Sequence, residues 1–265
     1  IGAVIGTGIF VVTGTAAADY AGPAATLSFL VAAIVVIASG FSFAEFAARV
    51  PITGGPYGYL SVVFGELSGW MAGWFLICEY LLAVSSVASG WSSYFQGFLM
   101  SIGIHLPKAL TAGYNAQNGT YVDLVAAIVV LLITIWVTQE AKKALRLNNL
   151  MVWVKFGIIA LFIIVGVFFV DPGNWTPYVP FGSAGVFDGA ALVFFAFLGF
   201  DAIAMAAEEV QNPQKDVPRG IIASILIAAT LYIIVTIILT GMVPYTALGV
   251  GDPVAFARRY VHLDS

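Results

Sequence analysis

The residue in this sequence best suited to chemistry is a lysine set in hydrocarbon. Lys155 stands in Met151-Val152-Trp153-Val154-Lys155-Phe156-Gly157-Ile158-Ile159. At mid-membrane depth an ammonium group costs at least about 2.5–3.5 kcal/mol to insert, so such a residue is functional by default, as a proton carrier or an ion-pair partner. The competing reading is snorkelling. Lys155 lies about eight residues, roughly 12 Å, from the polar end of its segment at Leu147. Two acids, Glu79 and Asp201, also interrupt apolar runs. Each is either a protonated partner in a helix–helix hydrogen bond or part of a site for a cation or a proton. Glu208 belongs to a charged cluster around Asn212-Pro213 with Glu209, Lys215, Asp216 and Arg219. That cluster reads as a solvated loop, with an inner-gate ion pair through Glu208 as the sharper alternative.

Glycines mark two further places. The run Gly2-Ala3-Val4-Ile5-Gly6-Thr7-Gly8-Ile9-Phe10 holds glycines at 2, 6 and 8, each weakening a helix by about 1 kcal/mol relative to Ala. Gly2 and Gly6 also form a small-xxx-small pair, so close helix packing is the plain explanation. The functional one is a deliberate break, with N–H groups at Thr7, Gly8 and Ile9 free to meet a carboxylate. The carbonyls of Val4 and Ile5 would then be free to meet an ammonium. A second pattern, Phe194-Phe195-Ala196-Phe197-Leu198-Gly199-Phe200-Asp201, puts glycine, a bulky ring and an ionisable group in mid-span.

The elements that must position these groups follow from composition. Of the 265 residues 61% are hydrophobic and 9% charged, with a mean hydropathy of +1.00, whereas about a quarter of a soluble chain is charged. Lipid is the solvent that accepts such a surface, and the continuous apolar runs select helices over barrel strands. Hydropathy breaks give seven segments, at about 1–18, 24–49, 66–98, 121–138, 148–170, 186–207 and 221–243. With the first segment running outward, Arg49, Lys142, Lys143, Arg146, Lys215 and Arg219 face the cytoplasm, and Lys108, Arg258 and Arg259 face out. Residues 1–265 are expected to be a single transmembrane domain, truncated at both ends, because the first residues already read as the interior of a span.

Several classes fall away. The net charge of −4 carries no basic run, which removes nucleic acid as a partner. Cys78 is the only cysteine, and His105 and His262 are far apart, so no metal site is expected. No His-Glu-x-x-His or Gly-x-Ser-x-Gly occurs, so the chain is not expected to be an enzyme. A channel or a substrate-sensing receptor built on the same helices remains an alternative to a carrier, since broken helices also line pores. Gly69 and Gly73 are expected to pack helices, and Asn118-Gly119-Thr120 fits a glycosylation sequon.

Three blocks in order carry a resemblance. They are Ile5-Gly6-Thr7-Gly8-Ile9-Phe10, then Pro51-Ile52-Thr53-Gly54-Gly55-Pro56-Tyr57-Gly58-Tyr59, then Phe195 to Asp201 followed by Glu208-Glu209-Val210-Gln211-Asn212-Pro213. Together they resemble the amino acid–polyamine–organocation (APC) superfamily, the last block most closely its cationic amino acid transporter branch. The resemblance implies an all-α polytopic membrane protein with a LeuT-like 5+5 inverted-repeat fold, here as a fragment with about seven transmembrane helices, the first and sixth broken. It implies secondary active transport of cationic or small neutral amino acids across the plasma membrane by alternating access. No cofactor is implied beyond a proton as coupling ion, and the partners are the amino-acid substrate and the bilayer. By position, the substrate carboxylate falls on backbone N–H groups near Thr7 and Gly8, and the amine at the carbonyls of Val4, Phe195, Ala196 and Leu198, with Ile5 and Gly6 completing the expected substrate-binding set. Phe195 matches an aromatic cap, and Lys155 matches a lysine that replaces a structural sodium. Glu79 and Asp201 remain open between attracting a cationic side chain and joining a proton or gating network with Lys155.

Overall fold

The structure is a computed structural model that describes residues 2, 4–6, 8–50, 52, 54–139, 141–205 and 210–261, with backbone alone at 139 and 141–147. Every named element is helical. The first, α1, has α-helical residues Thr13–Thr15 between π-helical turns at Gly8–Val12 and Ala16–Ala21. There follow α2 (Ala25–Arg49), α3 (Gly55–Phe64), α4 (Glu66–Ser101), α5 (Leu124–Gln139), α6 (Ala141–Gly166), α7 (Gly182–Phe194), α8 (Ala202–Met205), α9 (Pro213–Met242) and α10 (Pro253–Tyr260). Among the described residues five stretches are long and apolar enough to cross a membrane: Gly8–Arg49, Glu66–Ser101, Asn148–Phe169, Gly182–Met205 and Pro213–Met242. The shorter apolar helix Leu124–Thr138 occupies the expected fourth segment.

The run Gly8–Arg49 contains the expected first and second segments, and it is folded back on itself. A straight helix would hold Val4 and Phe29 roughly 38 Å apart. Both instead meet Tyr232, whose hydroxyl donates to the Val4 carbonyl at 2.7 Å and whose ring centroid is 5.4 Å from that of Phe29. The reversal occurs at Gly22-Pro23. Gly22 has φ +63°, and a Cβ there would lie 2.6 Å from Pro180 Cδ, so both the backbone angle and the space require glycine.

Around this corner the core assembles from α1, α2, α7 and α9. Gly40 lets Ile225 of α9 press against α2, and Ser28 donates to the Val186 carbonyl of α7 at 2.9 Å. Phe29, Phe197 and Tyr232 form a ring cluster at the centre. Large apolar side chains on α4 and α6 such as Phe75, Leu82 and Trp153 are exposed, as side chains solvated by lipid can be.

Three boundaries differ from the expected ones. Residues 55–64, read as loop, form α3, which turns at Gly65 (φ +88°) and packs antiparallel on α4. Cβ positions on Gly69 and Gly73 fall 3.1 Å from Ser61 Cα and 3.3 Å from Tyr57 Cδ2, which is the packing role anticipated for them. Lys142, Lys143 and Arg146 lie in the first turns of α6, not in a loop. α9 begins at Pro213, eight residues before the apolar run, because Pro at a first turn is preorganised for a helix. Hydropathy detects the part of a helix in lipid and misses turns that continue into water.

Candidate functional site

The sixth segment breaks where the glycine and its neighbours led one to expect. α7 tightens to a 3₁₀ turn at Phe195–Phe197, Leu198 turns extended at ψ 144°, and Gly199 takes φ +101° before α8 resumes. In the first segment, residues Val4–Gly6 are turn and bend, and helix begins at Gly8. The two irregular stretches face each other. A Cβ on Gly8 would fall 2.7 Å from Ala196 Cα and 3.1 Å from Ala196 O, so the backbones are in contact.

Two side chains serve the carbonyls freed by these breaks. Lys155 Nζ donates to the Gly2 carbonyl at 3.2 Å and also to the Ile5 carbonyl. The Tyr232 hydroxyl meets the Val4 and Ala196 carbonyls, both at 2.7 Å. Tyr232 is fully buried. Sequence reasoning missed it, although its signal is a phenol inside the apolar run Leu231-Tyr232-Ile233-Ile234-Val235.

Beside the first break lies a cavity of about 800 Å³ whose walls include Gly6, Phe10, Trp91, Lys155, Phe162 and Arg258. Small-molecule sites span roughly 300–1,000 Å³ and are mostly apolar with few polar groups. Among the described residues, the charged ones on these walls are Lys155 and Arg258, and no acid is among them. One end is covered by α10, which lies beyond the last expected segment and contributes Val254, Ala255 and Arg258 to the wall. Its Pro253 sits against Gly14, where a Cβ would approach Pro253 Cγ to 2.6 Å, and Arg259 pairs with Asp252 at 2.7 Å. The Tyr94 hydroxyl, also on the cavity wall, donates to the Phe10 carbonyl at 2.5 Å.

The acids lie elsewhere. Asp201 is 5% exposed, and its Oδ2 accepts from the Tyr80 hydroxyl at 2.7 Å. Its Oδ1 has no hydrogen-bond partner among the described residues. Glu79, half-buried and next to Tyr80 in the chain, lies within electrostatic reach of Asp201. The structure thus joins Asp201 to Tyr80, a residue that sequence reasoning missed, with Glu79 within electrostatic reach. It gives Lys155 to backbone carbonyls, so no hydrogen bond joins Lys155 to either acid. Phe195 is half-buried and packs on the core; it is not on the cavity wall, whereas Phe10 is. Leu198 is half-buried at the turn itself. Thr7 and Glu208 lie outside the described residues.

The chain matches the amino acid permease family profile over residues 1–258. It is 50% identical over 265 residues to the methylthioribose transporter of Bacillus subtilis (strain 168), covering 100% of this chain and 58% of that protein. Identity is also 50% over 262 residues with the branched-chain amino acid permease BcaP of the same organism, 98% of this chain and 56% of the relative. With cationic amino acid transporter 4 of Homo sapiens it is 38% over 253 residues, 94% of this chain and 40% of the relative. The chain therefore spans about half the length of the curated relatives it matches. These relatives are named for transport and not for catalysis, and the chain is part of a multi-pass membrane protein.

Proposed function

Because the chain belongs to the amino acid permease family, we propose that the whole protein carries a neutral amino acid with an apolar side chain across the cell membrane. The observation that carries this reading is the meeting of two helix breaks beside an apolar cavity, with Lys155 lodged on the first break. Backbone groups at Gly6, Thr7 and Gly8 serve the carboxylate, and the carbonyls of Val4, Ile5, Phe195, Ala196 and Leu198 serve the amine. Neither set distinguishes one amino acid from another, so selectivity falls to the cavity walls. Those walls are apolar and carry the ammonium of Lys155, which disfavours a lysine or arginine side chain. The name of the branched-chain permease relative agrees.

Transport proceeds by alternating access and is coupled to protons through Lys155. Protonated, its ammonium holds the broken first helix in a binding-competent shape; neutral, it releases that helix. The test is uptake by the complete protein in proteoliposomes, with labelled leucine, an imposed pH gradient, and alanine, arginine and methylthioribose as competitors. Saturable leucine uptake that rises with an inward proton gradient and is stimulated by leucine on the far side is expected. Non-saturating flux would indicate a channel, and competition by methylthioribose alone would move the substrate class to that sugar.

Glu79 is assigned no part in side-chain choice, since Asp201 and Tyr80 occupy its neighbourhood and no acid reaches the cavity wall. Glu79→Gln is expected to leave the ranking of leucine over arginine within about threefold of wild type, less than the 1.4 kcal/mol that a tenfold change represents. A mutant that loses its discrimination against arginine, or gains it, returns Glu79 to the selectivity site.

A further inference from the structure

The carbonyls assigned above to the substrate amine are already occupied by the protein. Val4 O and Ala196 O both lie 2.7 Å from one hydroxyl, that of Tyr232, which is fully buried on α9. Ile5 O, one residue along, takes the ammonium of Lys155. From this arrangement we propose that Tyr232 is an internal stand-in for the substrate amine, satisfying the two breaks while the carrier is empty and giving way when substrate binds. The proposal rests on the assignment of these carbonyls to the amine.

The chemistry of the donor explains why the stand-in yields. A tyrosine hydroxyl carries one proton, so it serves one of the two carbonyls fully and leaves the other facing an oxygen lone pair. An α-ammonium brings three N–H donors and a full charge, and charge-assisted hydrogen bonds are roughly twice as strong as neutral ones. The substrate therefore outcompetes the hydroxyl, but the hydroxyl is far better than nothing, since an unpartnered buried carbonyl is costly in a membrane. An empty carrier with Tyr232 in place can keep its breaks closed together and change its facing without substrate. A carrier lacking the hydroxyl must do so with two bare carbonyls. Tyr232 is a positioning residue in this scheme, and its removal acts in opposite directions on the two halves of the cycle.

That opposition makes the experiment decisive. In proteoliposomes holding the complete protein, Tyr232→Phe is expected to lower the KM for leucine by about threefold, because a competitor for the carbonyls has gone. Net uptake, which needs the empty carrier to return, is expected to fall relative to leucine–leucine exchange by about threefold or more. A hydroxyl that only braces the fold would raise the KM and slow both modes alike, and that result, or an unchanged KM and ratio, overturns the proposal. Should the Phe variant not fold, Tyr232→Leu carries the same expectation, read as a larger leucine-induced rise in melting temperature than wild type shows. Wild-type protein that binds no amino acid at all refutes instead the assignment of the carbonyls to an amine.

Discussion

Lys155→Ala is expected to reduce proton-driven leucine uptake by about a hundredfold or more. The side chain makes two hydrogen bonds to the first break, at Gly2 and Ile5, and bonds from a charged donor are worth about 1.5–3 kcal/mol each. Losing both removes several kcal/mol of preference for the binding-competent shape, enough to invert a two-state population. The same substitution leaves Ile5 O unserved inside the protein, where Ile5 is 1% exposed, so the break must open or rearrange. The pH response should vanish with the rate: any exchange that survives is expected to be the same with and without a proton gradient. Uptake by the Lys155→Ala protein against a concentration gradient, with the wild-type pH profile, would refute coupling through this residue.

Gly8→Val is expected to abolish leucine binding. A Cβ at Gly8 would come within 2.7 Å of Ala196 Cα and 3.1 Å of Ala196 O. The obstacle is backbone and not the end of a flexible side chain, so relief requires the two breaks to separate. Overpacking of this kind costs typically about 1–3 kcal/mol in stability. The larger loss is functional, because the carbonyls of Val4 and Ala196 no longer converge on one point. Gly157→Ala on α6, where a Cβ meets nothing within 4 Å, serves as the control for a glycine replaced without contact. Equilibrium binding of labelled leucine to purified protein checks the outcome, and normal affinity in Gly8→Val would place the carboxylate and amine somewhere other than between these breaks.

Composition and local backbone preference suffice to establish the class of molecule and the places where its helices fail. Apolar runs with so few charges have no stable home but lipid, and glycines at 6, 8 and 199 inside such runs mark the points where a helix is weakest. These are local properties, written in composition and in backbone preference, and so they are legible without a fold. Lys155 was legible for the same reason: its cost at that depth does not depend on what it touches. What it touches did depend on the fold. The partners of Lys155 are carbonyls about 150 residues away in sequence, and no periodicity in the chain encodes such a pairing. The reversal at Gly22-Pro23 shows the same limit. Glycine and proline marked a boundary there, but only the packing of Phe29 and Val4 on a common tyrosine fixed the direction of the chain beyond it. Tyr232 and Tyr80 escaped notice because a tyrosine in a span is ordinary until its hydroxyl has a partner. The helix α3 escaped because its ten residues, although apolar through Leu60, Val62, Val63 and Phe64, are too few to span a bilayer, and α10 escaped because its polar residues give no hydropathy signal while an ion pair such as Asp252–Arg259 does. Only the folded arrangement shows that Asp201 takes the Tyr80 hydroxyl while Lys155 takes backbone carbonyls, since the helices that carry them had to be placed before either contact existed.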